Sequence, residues 1–176
     1  MQCIIALAGP TKSGKTTLAK RLATSLAVPY GSFGDQVRKE ALRRGLTECS
    51  KAQLQVLRCE MVQTDTRSFC QAVLNDAGYS SEHGLVLDGI RHVDVLAMIR
   101  VLVGDQPVEL VYLDSSAAGR AKGSLEETQR LQEIDSHPVE RDAPKLKSVA
   151  DLVLDTSEDA DRAFETLLEW VKQRCE

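Results

Sequence analysis

The stretch Gly9-Pro10-Thr11-Lys12-Ser13-Gly14-Lys15-Thr16, GPTKSGKT, decides how this sequence is read. It fits the pattern G-x-x-x-x-G-K-[ST]. The apolar run CIIALA, residues 3–8, precedes it, and the helical-looking TLAKRLATSLA follows. Ile4 and Ile5 are β-branched and sit in a continuous apolar run, which suits a strand covered on both faces of a parallel sheet. From Lys15 the period changes: Leu18, Leu22 and Leu26 recur at i, i+4 and i+8, one face of a helix. A glycine-containing turn between such a strand and helix aims backbone N–H groups at an anion, and the helix adds its positive end. The expected phosphate cradle comprises Gly9, Thr11, Lys12, Ser13, Gly14, Lys15, Thr16 and Thr17. Lys15 is expected on the β and γ phosphates, and the Thr16 hydroxyl on Mg2+. No N-K-x-D guanine-reading element is present, so ATP is the expected nucleotide.

Outward from this unit, Pro29 and Gly31 end the first helix, and Phe33 falls in a short second strand or a loop. Asp35 to Arg44 reads as a helix with Gly45 as its C-cap. Ser50 is placed to N-cap the next helix, with Leu54, Leu57 and Met61 on one face and Gly78 ending it. Residues 85–88 form the next buried-strand pattern, 92–103 a helix, and 108–113 a further strand. Ser124 to Lys147 carries ten charged residues and few large apolar ones, so it reads as an exposed, mobile excursion. Residues 151–154 form a last short strand. Phe164, Leu167, Leu168 and Val171 mark the face of a closing helix. Strands alternating with helices predict an α/β, doubly wound, mostly parallel five-stranded sheet with a small lid excursion.

The bulk numbers agree with this and narrow the function. A chain of 176 residues suits one domain, 1–176, and 43% apolar with 27% charged residues suits an ordinary core. The net charge of −4, with Lys and Arg spread among acids, argues against polymeric nucleic acid or a membrane surface as partner. No window approaches the roughly 18 apolar residues of a membrane span. Cys3, Cys49, Cys59, Cys70 and Cys175 show no C-x-x-C pair, so neither zinc nor a disulfide framework is expected. A cytoplasmic enzyme with reduced thiols is the expectation.

The remaining polar residues gather at predicted strand ends, where ligands bind in such sheets. Gly34-Asp35-Gln36-Val37-Arg38 supplies a guanidinium, whose planar, always-charged fork matches phosphate oxygens. In Leu87-Asp88-Gly89-Ile90-Arg91, Asp88 lies opposite the phosphate loop and suits a carboxylate that orders the waters on Mg2+.

With these motifs the chain resembles the adenylate-kinase-like family of P-loop kinases, which includes nucleoside monophosphate kinases and dephospho-coenzyme A kinases. GDQVR is similar to the G-D-x-x-R element of adenylate kinases. LDGIR is similar to their D-G-F-P-R element, but is one residue shorter and lacks the proline. The resemblance implies that Arg38 and Arg91 grip the phosphate of an acceptor and that Asp35 orients the acceptor or polarises its attacking oxygen. It also implies a lid over ATP, here residues 120–148. Arg120 stands where the family has its first lid arginine, which packs on adenine. Gly123 and Ser124 replace the usual partner arginine, and Arg141 is expected to stand in at the phosphoryl group, with Arg130 as second choice.

The expected activity is therefore ATP- and Mg2+-dependent phosphoryl transfer to a small phosphorylated acceptor, first a nucleoside or deoxynucleoside monophosphate. Lys15, Asp35, Asp88, Arg91 and Arg141 form the expected catalytic set. Dephospho-coenzyme A kinases show a D-x-D element near the second strand, where this chain has only Asp35, which lowers that acceptor. A regulatory P-loop ATPase within a protein complex is the alternative, and a weak nucleotide-binding module the third reading. The thinned lid arginines and the shortened D-G-I-R favour the ATPase somewhat.

Overall fold

All five residues of β1 (Ile4–Ala8) are apolar and buried, so the strand has to lie inside a sheet covered on both faces. The computed structural model describes residues 2–121, 123–136, 142–157 and 159–175. β1 pairs in parallel with β3 (Leu85–Ile90) on one side and β4 (Val108–Asp114) on the other. β2 (Tyr30–Ser32) and β5 (Leu152–Asp155) complete an all-parallel sheet in the order β2-β3-β1-β4-β5. Alternate residues of β1 face opposite layers, as the strand period requires. Ile5 and Leu7 pack with α1 (Lys15–Leu26) and α8 (Ala160–Arg174). Ile4, Ala6 and Ala8 pack with α2 (Phe33–Arg43), α3 (Lys51–Asp76) and α4 (Val93–Val103). Each fully buried Ile or Leu in these layers contributes roughly 1.5–3 kcal/mol by leaving water. No described helix is long and apolar enough to cross a membrane.

The element boundaries follow local chemistry. Ser32 N-caps α2 by accepting from Asp35 N at 3.1 Å, so that helix starts two residues before the expected Asp35. Phe33 is therefore neither strand nor loop; its ring meets Phe69 edge-on at 5.3 Å. Ser50 and Gln53 form a reciprocal capping box at the start of α3. Inside α3, Asp65 leaves helical geometry (φ −157°, ψ 81°). Its carboxylate accepts from Ser68 N at 2.9 Å and Ser68 Oγ at 2.6 Å, capping a second helical segment. The first segment faces the loop after β1; the second packs Phe69, Cys70, Val73 and Leu74 into the core.

The charged excursion is not irregular where it is described. α5 (Ala117–Arg120) leads into it, and it contains α6 (Leu125–Ser136) and α7 (Ala143–Ser148). Its composition misled because few residues suffice to anchor it: Leu131 and Leu146 are fully buried, and Glu127 and Asp135 turn inward to Lys12 and Arg120.

One expectation is overturned. Cys3, entering β1, and Cys175, leaving α8, form a disulfide with Cα atoms 5.8 Å apart. The two thiols meet because α8 packs on the face of the sheet that β1 centres, a contact invisible across 172 positions of sequence. Cys49, Cys59 and Cys70 form no disulfide. Burial pushes the Cys70 thiol up to about 12, as suits an inert core residue. Closing so long a loop restricts the unfolded chain, an effect of about 2–4 kcal/mol. Cys175→Ser, or treatment with a dithiol, is therefore expected to lower the thermal midpoint by roughly 5–10 °C in a calorimetric scan.

Candidate active site

The loop after β1 begins with a residue that cannot carry a side chain. Gly9 has φ +138°, and a Cβ there would collide with the Leu113 carbonyl of β4. Gly14, at φ +83°, N-caps α1 without a side-chain cap, and the first turn of α1 holds no acidic residue. The positive end of α1 is thus neither capped by a side chain nor neutralised. Ser13 and Lys15 are buried within the loop. The Lys15 ammonium donates to the Pro10 carbonyl and, at 3.1 Å, to Ser13 Oγ, which fixes it over the concavity. Thr156, beyond β5, donates to the Ser13 carbonyl at 3.1 Å and pins the loop from a third strand end. Gly9, Thr11, Lys12, Ser13, Gly14, Lys15, Thr16 and Thr17, the expected phosphate-binding residues, thereby lie together in one strand–loop–helix turn.

Beside it, Asp88 at the end of β3 is 5% exposed. Thr16 Oγ1 donates to its Oδ2 at 2.7 Å, and the Tyr30 hydroxyl donates to the same oxygen at 3.1 Å. Oδ1 is buried with no partner among the described residues. Burial, then the Asp88 charge, pushes the Tyr30 phenol well above its ordinary value, so it remains a donor. A buried carboxyl group with one oxygen unmatched among the described residues calls for a further partner. Thr16 and Asp88 therefore fit a divalent cation by their donor chemistry.

On the other side of the loop lies a cavity of about 200 Å³. Thr11, Arg38 and Arg91 line it, as do Lys51 and Arg58 from α3. No carboxylate is among its described lining residues. Arg91 donates to Thr11 Oγ1 at 3.2 Å, which places it against the phosphate loop despite the shortened D-G-I-R. Arg58 reaches the Gly89 carbonyl at 3.5 Å. Arg38 pairs with Asp35 one turn earlier, and both are exposed. Lys51 and Arg58 escaped the sequence reading, which followed only the apolar face of α3. Their signal was there: 51, 54, 55 and 58 recur at i, i+3, i+4 and i+7 on one helical face. A wider cavity, about 700 Å³, lies at the opposite ends of the strands around Gln2, Asp105 and Arg174, away from the loop.

The lid candidates divide. The Arg120 side chain is 2% exposed. It donates to the Thr11 carbonyl at 2.6 Å, to the Ser115 carbonyl at 3.2 Å and to both oxygens of Asp135 on α6. Lys12 pairs with Glu127 on the same helix, and that contact holds the Glu127 carboxyl below its ordinary range. Arg130 is exposed, 3.8 Å from Glu127. Arg141 lies outside the described residues.

A search of curated protein sequences found no significant match. The profile of the AAA domain family matches residues 5–136, three-quarters of the chain. The chain belongs to that family. The matched span of this AAA domain begins in β1 and ends with α6, so it holds the cradle, the cation-site residues and the cationic cavity. The fold is that of P-loop kinases. Shikimate kinase from Bacteroides thetaiotaomicron superposes with a TM-score of 0.60 at 18% identity, covering 97% of this chain and 98% of that one. Shikimate kinase from Aquifex aeolicus gives 0.58 at 16% identity, covering 97% of each chain. Gluconokinase from Sinorhizobium meliloti gives 0.54 at 12% identity, covering 99% and 98%.

Lys15→Ala is expected to weaken ATP binding tenfold or more, since a charge-assisted contact contributes ~1.5–3 kcal/mol. The thermal midpoint should stay near wild type. Titration with a fluorescent ATP analogue measures the first and a melting scan the second. Unchanged affinity would show that this loop does not hold the triphosphate.

Proposed function

We propose that this AAA-domain protein transfers the γ-phosphoryl group of ATP to a small anionic acceptor, with a nucleoside or deoxynucleoside monophosphate as the first candidate. The observation that carries the proposal is the cavity beside Thr11, where Arg38, Lys51, Arg58 and Arg91 line one space. Guanidinium forks at that position suit an acceptor with a phosphate or carboxylate handle. Small hydroxy acids, of the kind named for the structural neighbours, carry the same handle. Dephospho-coenzyme A carries it as well.

In this reading Lys15 and the amides of the loop hold the triphosphate. Thr16 and Asp88 hold Mg2+, which when bound neutralises charge on the β and γ oxygens. Arg38, Arg58 and Arg91 align the acceptor on the far side of the loop, and positioning supplies most of the acceleration. A phosphate acceptor is already anionic and needs no base. For a hydroxyl acceptor, Asp35 is the candidate base, held by Arg38. Arg141 is assigned to the moving phosphoryl group and Arg120 to the adenine side of the nucleotide. Four cationic side chains around one cavity suit an anionic acceptor better than a neutral water, which supports transfer over the alternative of a regulatory ATPase.

The test is ADP release with ATP and Mg2+ against a panel of nucleoside monophosphates, shikimate, gluconate and dephospho-coenzyme A. Release that rises with one acceptor supports transfer. Release indifferent to all of them would favour hydrolysis and sink the proposal. With the active acceptor in hand, Arg58→Ala should raise its KM about tenfold or more while the affinity for ATP stays unchanged. Loss of ATP affinity with unmoved acceptor kinetics would mean that the cavity is not the acceptor site.

A further inference from the structure

Tyr30 opens β2, two strands away from the phosphate loop in the sheet. It stands opposite Val86 in β3, and Ser32 stands opposite Asp88, so its own register does not put it beside the carboxylate. Its length does: the ring lies along the face shared with α1, and the hydroxyl reaches Asp88 Oδ2 at 3.1 Å. The Lys20 ammonium sits 5.6 Å from the ring centroid and braces it from the helix that begins with Lys15 and Thr16. One side chain therefore ties β2, β3 and α1 together at the proposed cation site.

The two donors fall on one oxygen. Thr16 and Tyr30 both donate to Oδ2, and Oδ1, equally buried, receives nothing. A buried acceptor left unmatched is rare in folded chains and calls for a partner. We propose that Tyr30 is a positioning residue that saturates Oδ2 of Asp88 and so reserves Oδ1 for the hydration shell of a divalent cation. This rests on the nucleotide-site reading above. Thr16 makes the other donation to Oδ2, from the side of α1. The phenol supplies a donor from the opposite side that does not depend on the cation. Without it Asp88 loses the contact that fixes which oxygen faces the site. Partners of this kind, one shell out from a metal, typically change affinity 10–100-fold when removed.

Tyr30→Phe keeps the ring, its packing and its contact with Lys20, and removes only the hydroxyl. The experiment measures ATP affinity calorimetrically with and without Mg2+, and Mn2+ binding to the ATP complex by electron paramagnetic resonance. The wild-type protein should bind ATP more tightly with Mg2+. In Tyr30→Phe that enhancement should fall about tenfold, with Mn2+ binding weakened in parallel. Affinity for ATP without metal, and the thermal midpoint, should match wild type. Asp88→Asn should lose the enhancement entirely. An undiminished enhancement in Tyr30→Phe would overturn the role of Tyr30 and leave the nucleotide site intact. Equal losses with and without metal would likewise overturn it, because they would mark a structural role. A wild-type protein whose ATP affinity ignores Mg2+ would bring down the site reading and this proposal together.

Discussion

The contact between Gly9 and the Leu113 carbonyl is the constraint on which the rest of the site depends. β1 is flanked on both sides by parallel strands and has no free edge. A chain leaving such a strand must pass over its neighbour, and here it passes so close to β4 that any side chain would collide. Glycine permits both the approach and the backbone angle of φ +138°. The loop then runs back over the sheet and is held from several sides: by Thr156 beyond β5, by Arg91 beyond β3 and by Arg120 beyond β4. Its shape is therefore imposed by the ends of neighbouring strands before any ligand arrives, which is what preorganisation means in physical terms.

Charge is divided across this loop in a way that a folded chain tolerates poorly by itself. On one side Asp88 is a buried carboxylate with only hydroxyl partners. On the other, a cavity gathers four cationic side chains, with no carboxylate among its described lining residues, in a protein whose net charge is −4. Stability alone does not explain the buried, unmatched oxygen of Asp88, which is costly to keep from water. The proposed reading accounts for both sides with a set of ligands: a cation for the carboxylate, a triphosphate for the loop, and a second anion for the cavity.

Much of this was legible in the sequence wherever the signal was local. The apolar run 4–8, the glycines and the i, i+4 leucines of α1 each report on a few adjacent residues, and the fold agrees with them. The Ser50 cap was legible for the same reason. What stayed hidden was set by contacts between distant segments or by competition between equal local choices. Asp65 carries a side chain as able to cap a new helix as to face solvent, and only packing chooses. Lys51 and Arg58 were hidden because a helix read through its apolar face says nothing about which polar face meets a cavity. The disulfide joins residues 172 positions apart, and the Tyr30–Asp88 contact spans 58. No periodicity encodes either.

Arg120 shows how far a resemblance can carry a role and where the structure adds to it. A guanidinium has five donors in one plane, and those of Arg120 are directed at two backbone carbonyls and both oxygens of Asp135. These bonds tie the phosphate loop to β4 and to α6 at once, and Lys12 adds a second tie from the loop to Glu127. Glu127 and Asp135 stand two turns apart on α6, each paired with a cation that borders the loop, so this one helix holds the loop through Lys12 and Arg120 at once.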